Sequence, residues 1–192
     1  PVYTEADAVD PVAEGAWAFA PTELETPAVV PPGAVRTAKG DSQQLELPEP
    51  AVDDAESAQQ AVDDALRGAL GLDRENQPAD TAVAFSGGVD SALVAAGFPD
   101  APLYVIGFEG SHDIAAAREA ADAMGRADDL HVIELDHETL RDAVPRVAAA
   151  INRTNPMDVS IALPLLLVAE RAVRDGYDRL ALGQGADELF GG

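Results

Sequence analysis

The period of the apolar positions changes at residue 51. From there Val52, Ala55, Ala58, Val62, Ala65, Leu66, Ala69 and Leu70 recur every three or four residues, which places them on one stripe of a helix that stops at Gly71. Beyond it, the short stretches 81–85, 103–108, 130–135 and 179–182 read as strands. The stretches between them, from about Ser91 and over 114–124, 137–151 and 161–174, carry helical spacing. Strands that alternate with helices predict an α/β fold, a doubly wound parallel sheet with flanking helices. Upstream the pattern is punctuated instead. Apolar pieces at GAWAFA (15–20) and VVPPGAV (29–35) are cut by Pro31, Pro32 and Gly33. Proline cannot donate to a sheet ladder and glycine supplies tight turns, so short strands are expected there. Trp17 and Phe19 are the expected core of this small β-rich partial domain, which covers 1–48 and leads through LPEP (47–50) into a second domain over 51–192. The abrupt start at Pro1, with no initiating Met, suggests a stretch of a longer protein.

Composition narrows the setting. The chain has 192 residues, 47% of them hydrophobic, enough for one ordinary core. No apolar stretch approaches the about 18 residues of a membrane span, and the N-terminus lacks a basic flank with an apolar region behind it. A cytoplasmic protein without a membrane partner is expected. Without cysteine there is no disulfide, thiolate metal site or cysteine nucleophile within these residues. The 35 acids outnumber 12 bases, only one of which, Lys39, is lysine, for a net charge of -23. Such a field repels a phosphate backbone, so no nucleic-acid partner is expected. It also suits a halophilic protein, because a salt-rich cytoplasm screens self-repulsion. The histidines, His112, His131 and His137, show no metal-binding spacing, and His112 reads as a loop side chain.

The stretch with chemistry in it is VAFSGGVDSALVA (83–95), where a strand breaks into Ser-Gly-Gly and resumes as a helix. In an open parallel sheet ligands bind at the carboxyl ends of strands, where helix N-termini offer free amides. Gly87 and Gly88 let the backbone approach a polyanion, helix amides attract its oxygens, and Ser86 and Ser91 offer hydroxyls. Asp90 would repel phosphate unless a Mg²⁺ lay between them, so the acid implies a metal. A Walker A loop is excluded, because no Gly-Lys-Ser/Thr follows.

SGGVDS (86–91) resembles the pyrophosphate-binding loop (PP-loop) of the ATP pyrophosphatase superfamily. GSHD (110–113) and GQGADELFGG (183–192) extend the likeness to the synthetase domain of asparagine synthetases and the related beta-lactam synthetases. PVYTE, WAFAPTELE and VPPGAV are similar to the closing strands of that family's glutaminase domain. The resemblance implies an adenine nucleotide alpha hydrolase-like fold and an amidotransferase ligase of asparagine biosynthesis. Such an enzyme adenylates a carboxylate, most simply aspartate, releases pyrophosphate, and passes the acyl group to ammonia or glutamine-derived nitrogen. It implies that Ser86, Gly87, Gly88, Asp90 and Ser91 hold the phosphates of ATP. Phe85, Ile106 and Gly183 would border the adenosine, Asp90 and Asp187 would hold Mg²⁺, and Asp113 and Glu188 would be further polar groups of the site. Partners are then small molecules (ATP, aspartate or a similar acid, glutamine or ammonia), with a homodimer left open. The chain departs from the family at Gln184, where a glutamate is usual, and at SIALPL (160–165), which replaces a more polar substrate-side stretch. A neutral amide can hydrogen-bond but cannot act as a general base. An RNA-modifying ATP pyrophosphatase and an inactive nucleotide-binding paralogue remain the alternatives.

Overall fold

The computed structural model describes residues 2–8, 11, 14–19, 21–36, 42–46, 49, 51–71 and 78–187. The chain divides into two compact units, Pro1–Asp53 and Asp54–Gly192. In the first, strands β1 (Tyr3–Glu5), β2 (Trp17–Ala18) and β3 (Pro27–Val29) form an antiparallel sheet in the order β2-β1-β3. Strands β4 (Ala34–Arg36) and β5 (Ser42–Gln44) pair antiparallel beside one another. Trp17 and Phe19 are not core: they are 44% and 62% exposed and pack edge to face on each other, with centroids 5.5 Å apart. The two-residue strand explains the reversal. Alternation turns the small Ala18, 5% exposed, inward and its two aromatic neighbours outward.

The second unit is the α/β body. Helix α1 (Ala55–Leu70) starts where Asp54 accepts from the Ser57 amide and ends on Gly71 in the left-handed region at φ 66°. It begins three residues later than the apolar spacing suggests, because the Asp54 cap sets the start and leaves Val52 outside. Then follow β6 (Thr81–Ala84), α2 (Val89–Gly97), β7 (Leu103–Phe108), α3 (His112–Ala123), β8 (Leu130–Leu135), α4 (His137–Ile151), α5 (Pro156–Arg174) and β9 (Arg179–Ala181). Helix α5 starts earlier than its apolar run, because Asn155 caps the Asp158 amide and Pro156 takes the first position, where its missing N–H costs nothing. His112 is the first residue of α3 rather than part of a loop.

The four strands are parallel in the order β8-β7-β6-β9. The chain winds outward from β6 through β7 to β8, then returns to place β9 on the other side of β6. Parallel crossovers are right-handed, so the reversal sends the returning helices to the opposite face. Residue parity agrees. Val83, Phe85, Leu103 and Val105 pack with Ala95 of α2 and Ile114, Ala117 and Ala121 of α3. On the other face Ala82 and Tyr104 pack with Val168 and Ala172 of α5. Helix α4 closes on α5 through Ala143 and Val147 against Val159, Leu163 and Leu167. Arg126, largely buried, donates to the carbonyls of Ala95, Phe98 and Ala101 and pairs with Asp129 at 2.9 Å. It thus satisfies carbonyls at and just beyond the C-terminal end of α2 and clamps the helix in place.

Candidate active site

The strand order reverses between β6 and β9, and a cavity of about 440 Å³ opens at their carboxyl ends. This is the crevice that open α/β sheets offer to ligands. From β6 and α2 it takes Ala84, Phe85, Ser86, Asp90 and Ser91; from β7, Tyr104, Val105 and Ile106; from α3, Asp113. The turn after β9 supplies Leu182, Gly183, Gln184, Gly185 and Asp187, and α5 supplies Pro164, Leu165 and Val168.

Four helices of this unit, α1, α3, α4 and α5, begin with a side chain that accepts from the first turn: Asp54, Ser111, Asp136 and Asn155. Helix α2 begins at Gly88 with no side-chain cap. Its first amides are therefore left for a ligand, with the helix dipole behind them. The turn ahead of it is held by its own hydroxyls. Ser91, nearly buried, donates from Oγ to the Gly88 carbonyl at 2.9 Å. Its oxygen lies 3.2 Å from Ser86 Oγ and accepts from the Ser86 amide at 3.3 Å, while Ser86 Oγ accepts from the Gly88 amide at 3.4 Å. Because the Ser91 proton goes to a carbonyl, the Ser86 proton completes the ring. Both hydroxyls shape the loop, and the donors left over are backbone amides.

Two glycines seat this turn. Gly87 has φ +83°, and a Cβ there would lie 2.6 Å from the Ala116 carbonyl oxygen and 2.8 Å from the Ala117 amide. Only glycine allows the loop to rest on the α3 backbone in this way. A Cβ on Gly183 would lie 2.8 Å from Asp90 Cβ and 3.2 Å from the Ser91 amide. The turn after β9 thus leans directly on the start of α2, bringing Asp187 into the cavity that Asp90 lines.

The structure therefore gathers Phe85, Ser86, Asp90, Ser91, Ile106, Asp113, Gly183 and Asp187 at one cavity. Phe85 contributes mainly a strand end, because it is 2% exposed and its side chain belongs to the core. Gly87 and Gly88 shape the loop and are not among the lining residues. Glu188 lies outside the described residues. Sequence reasoning missed Tyr104 and Val168. Parity with Ala84 and Ile106 marks Tyr104, and Val168 lies one helical turn beyond Pro164. Tyr104 fixes the floor: its hydroxyl donates to Asp175 at 2.7 Å, while Asp175 also accepts from Arg171 at 2.8 Å. Burial, with the Asp175 bond, pushes the phenol well above its ordinary pKa. The bonds from Tyr104 and Arg171 hold the Asp175 carboxyl below the usual range.

The described lining residues include three carboxylates, Asp90, Asp113 and Asp187, and no lysine, arginine or histidine. No group of three or more His, Asp or Glu side chains among the described residues forms a ready-made metal site. That donor set still suits Mg²⁺, which is commonly held by one or two carboxylates together with substrate phosphates and water. No helix of the described residues is long and apolar enough to cross a membrane.

A Methanocaldococcus jannaschii protein assigned by name to the glutamine-hydrolyzing asparagine synthetases is 32% identical over 145 residues, 71% of this chain and 25% of its own length. The nodule asparagine synthetase of Pisum sativum is 32% identical over 127 residues, 57% of this chain and 21% of its own, and that of Asparagus officinalis matches with the same identity and shares. The match thus spans a quarter or less of these relatives' length. A solved structure described as a predicted subunit of tRNA methyltransferase from M. jannaschii is 27% identical, covering 58% of this chain and 56% of that one at a TM-score of 0.40. The family model described as Asparagine synthase matches residues 61–192, well over half of the sequence, and the chain belongs to that family.

Proposed function

We propose that this protein is an ATP-dependent, amide-forming ligase of asparagine synthetase type. The observation that carries the reading is the pairing at one cavity of a glycine turn and an uncapped helix start with the carboxylates Asp90 and Asp187. Amides at a helix start favour phosphate, whereas carboxylates oppose it. The two fit one ligand if a cation bridges them. Asp90 and Asp187 would hold Mg²⁺, whose role is to neutralise phosphate charge and the charge developing on the leaving pyrophosphate. The backbone of the turn and the first amides of α2 would orient the phosphates. The apolar side, Ala84, Ile106 and Val168, would hold the nucleoside, and Asp113 would face the acid or amine.

In the first step a carboxylate oxygen of the acid bonds to the α-phosphorus of ATP. The bond from that phosphorus to the bridging oxygen breaks, and pyrophosphate leaves with the electron pair. In the second step the amine attacks the acyl carbon of the adenylate, AMP departs, and the nitrogen gives up a proton. No side-chain nucleophile is needed; positioning and charge neutralisation supply the acceleration. Aspartate is the proposed acid, with nitrogen from ammonia or glutamine. We read residues 1–48 as closing strands of a glutaminase-like domain, and the acidic composition as fitted to a salt-rich cytoplasm.

The test is pyrophosphate release by the full-length protein with Mg-ATP, a panel of acids that includes aspartate, and ammonia or glutamine. Release that depends on an acid supports the ligase. ATP binding without release under any acid would leave a nucleotide-binding protein and overturn it.

A further inference from the structure

Beyond the carboxylates and the glycine turn, the cavity carries one group without a role so far. Four lining side chains among the described residues have an N–H or O–H: Ser86, Ser91, Tyr104 and Gln184. Three are committed. The Ser91 proton goes to the Gly88 carbonyl, the Ser86 proton closes the hydroxyl ring, and the Tyr104 proton goes to Asp175. Gln184 is exposed at the rim, and its amide has no partner among the described residues. It also sits at a defined place, between Gly183, which abuts Asp90, and Asp187. A neutral carboxamide there keeps the charge of the turn from growing beside Asp90, Asp113 and Asp187, and brings two protons to a rim otherwise rich in acceptors.

We infer that Gln184 is an anion-binding residue, whose side-chain amide donates to an anionic oxygen of the reacting pair at the carboxylate-lined end of the cavity. This rests on the cavity being the nucleotide site proposed above. The oxygen belongs either to the phosphate chain of ATP or to the carboxylate of the acid, and the two sources separate kinetically. A donor to phosphate shifts nucleotide affinity, whereas a donor to the acid shifts the KM for the acid at saturating ATP. The chemistry also sets an order among variants. Gln184→Glu keeps the shape but replaces the donor with a fourth negative charge, Gln184→Leu removes the amide without adding charge, and Gln184→Arg keeps donors and adds a positive charge.

The experiment measures, on the full-length protein, the Kd of Mg-α,β-methylene-ATP, which cannot be cleaved between the α and β phosphorus, and the KM of whichever acid the wild type turns over. In one of these arms the Glu variant should weaken binding about tenfold or more and the Leu variant several-fold, because hydrogen bonds to charged groups are the strong ones. The Arg variant should match or improve on wild type in that arm. A merely structural role for the turn would weaken all three alike, and that result overturns the inference, as does a Glu variant equal to wild type in both arms. If the wild type turns over no acid, the ligase reading fails on that control. The nucleotide arm then decides the inference alone: the predicted order sustains it, and an unchanged Kd overturns it.

Discussion

The glycine turn after β6 and the glycine turn after β9 meet at the same cavity and are built in opposite ways. In the first, Ser86 and Ser91 bond to each other and to the backbone, and Gly87 rests on the α3 main chain. Its polar side chains are mostly spent on its own shape, and Asp90 is half-buried. In the second, Gln184 and Asp187 are exposed at the cavity, and the turn is placed by the contact of Gly183 with Asp90. One turn is a pre-formed backbone surface, which the function proposed above assigns to phosphate; the other delivers side chains to the same cavity. The same residue types, glycine with a nearby acid, thus serve different ends according to what their missing Cβ atoms allow them to touch.

Substitutions should separate the two roles. The largest effect is expected from Gly87→Ala, which adds a methyl 2.6 Å from a helix carbonyl at a backbone angle of +83°. Strain and overpacking together should cost about 3 kcal/mol, read as a lower midpoint in chemical denaturation. Unchanged stability would mean that the loop does not rest on α3. Gly183→Ala comes next and differs in kind, because its backbone needs no left-handed angle and the added methyl disturbs the contact with the start of α2, at Asp90 and the Ser91 amide. Mg-nucleotide affinity should fall about tenfold, with a melting temperature within a few degrees of wild type, since a displaced charge-assisted contact is of that size. A loss confined to stability would contradict a positioning role. Ser91→Ala opens the hydroxyl ring and should cost about 1 kcal/mol of stability, with a modest loss of nucleotide affinity.

The smallest effect lies at the floor. The Asp175 carboxyl is held low by Tyr104 and Arg171, so its contribution to stability is complete above the ordinary carboxylate pKa and is lost as pH falls through its depressed value. Tyr104→Phe removes one of those bonds. The stability gap between wild type and variant should therefore be widest near neutral pH and narrow on acidification. Unfolding free energies measured across that range check the sign, and a gap that widens in acid would be the wrong one.

Much of the α/β body was legible in the sequence, and the reasons are local. Strand β7 coincides with the apolar run at 103–108, because a strand covered on both faces has no polar alternation to obscure its ends; edge strand β8 keeps the bounds 130–135 although His131 and Glu134 are exposed. The glycine turn was legible because strand, glycines, acid and helix follow in order. Four things were not. The start of α5 depends on Asn155 and Pro156 rather than on apolar spacing. The outward placement of Trp17 and Phe19 depends on a two-residue strand whose phase hydrophobicity alone does not set. The third wall of the cavity, Pro164, Leu165 and Val168, depends on how α5 crosses the sheet, a tertiary packing choice. The committed state of both serine hydroxyls likewise follows from atomic geometry that residue types do not carry.

On the function proposed above, these two turns together hold ATP for adenylation of an acid. This claim is tested most directly by exchange of radiolabelled pyrophosphate into ATP, catalysed by the full-length protein with Mg²⁺ and the acid, comparing wild type with Asp90→Ala. The account predicts acid-dependent exchange in the wild type and a loss of about a hundredfold or more in the variant, the scale of removing one preorganised group that stabilises charge in the transition state. Exchange that survives in Asp90→Ala would contradict it.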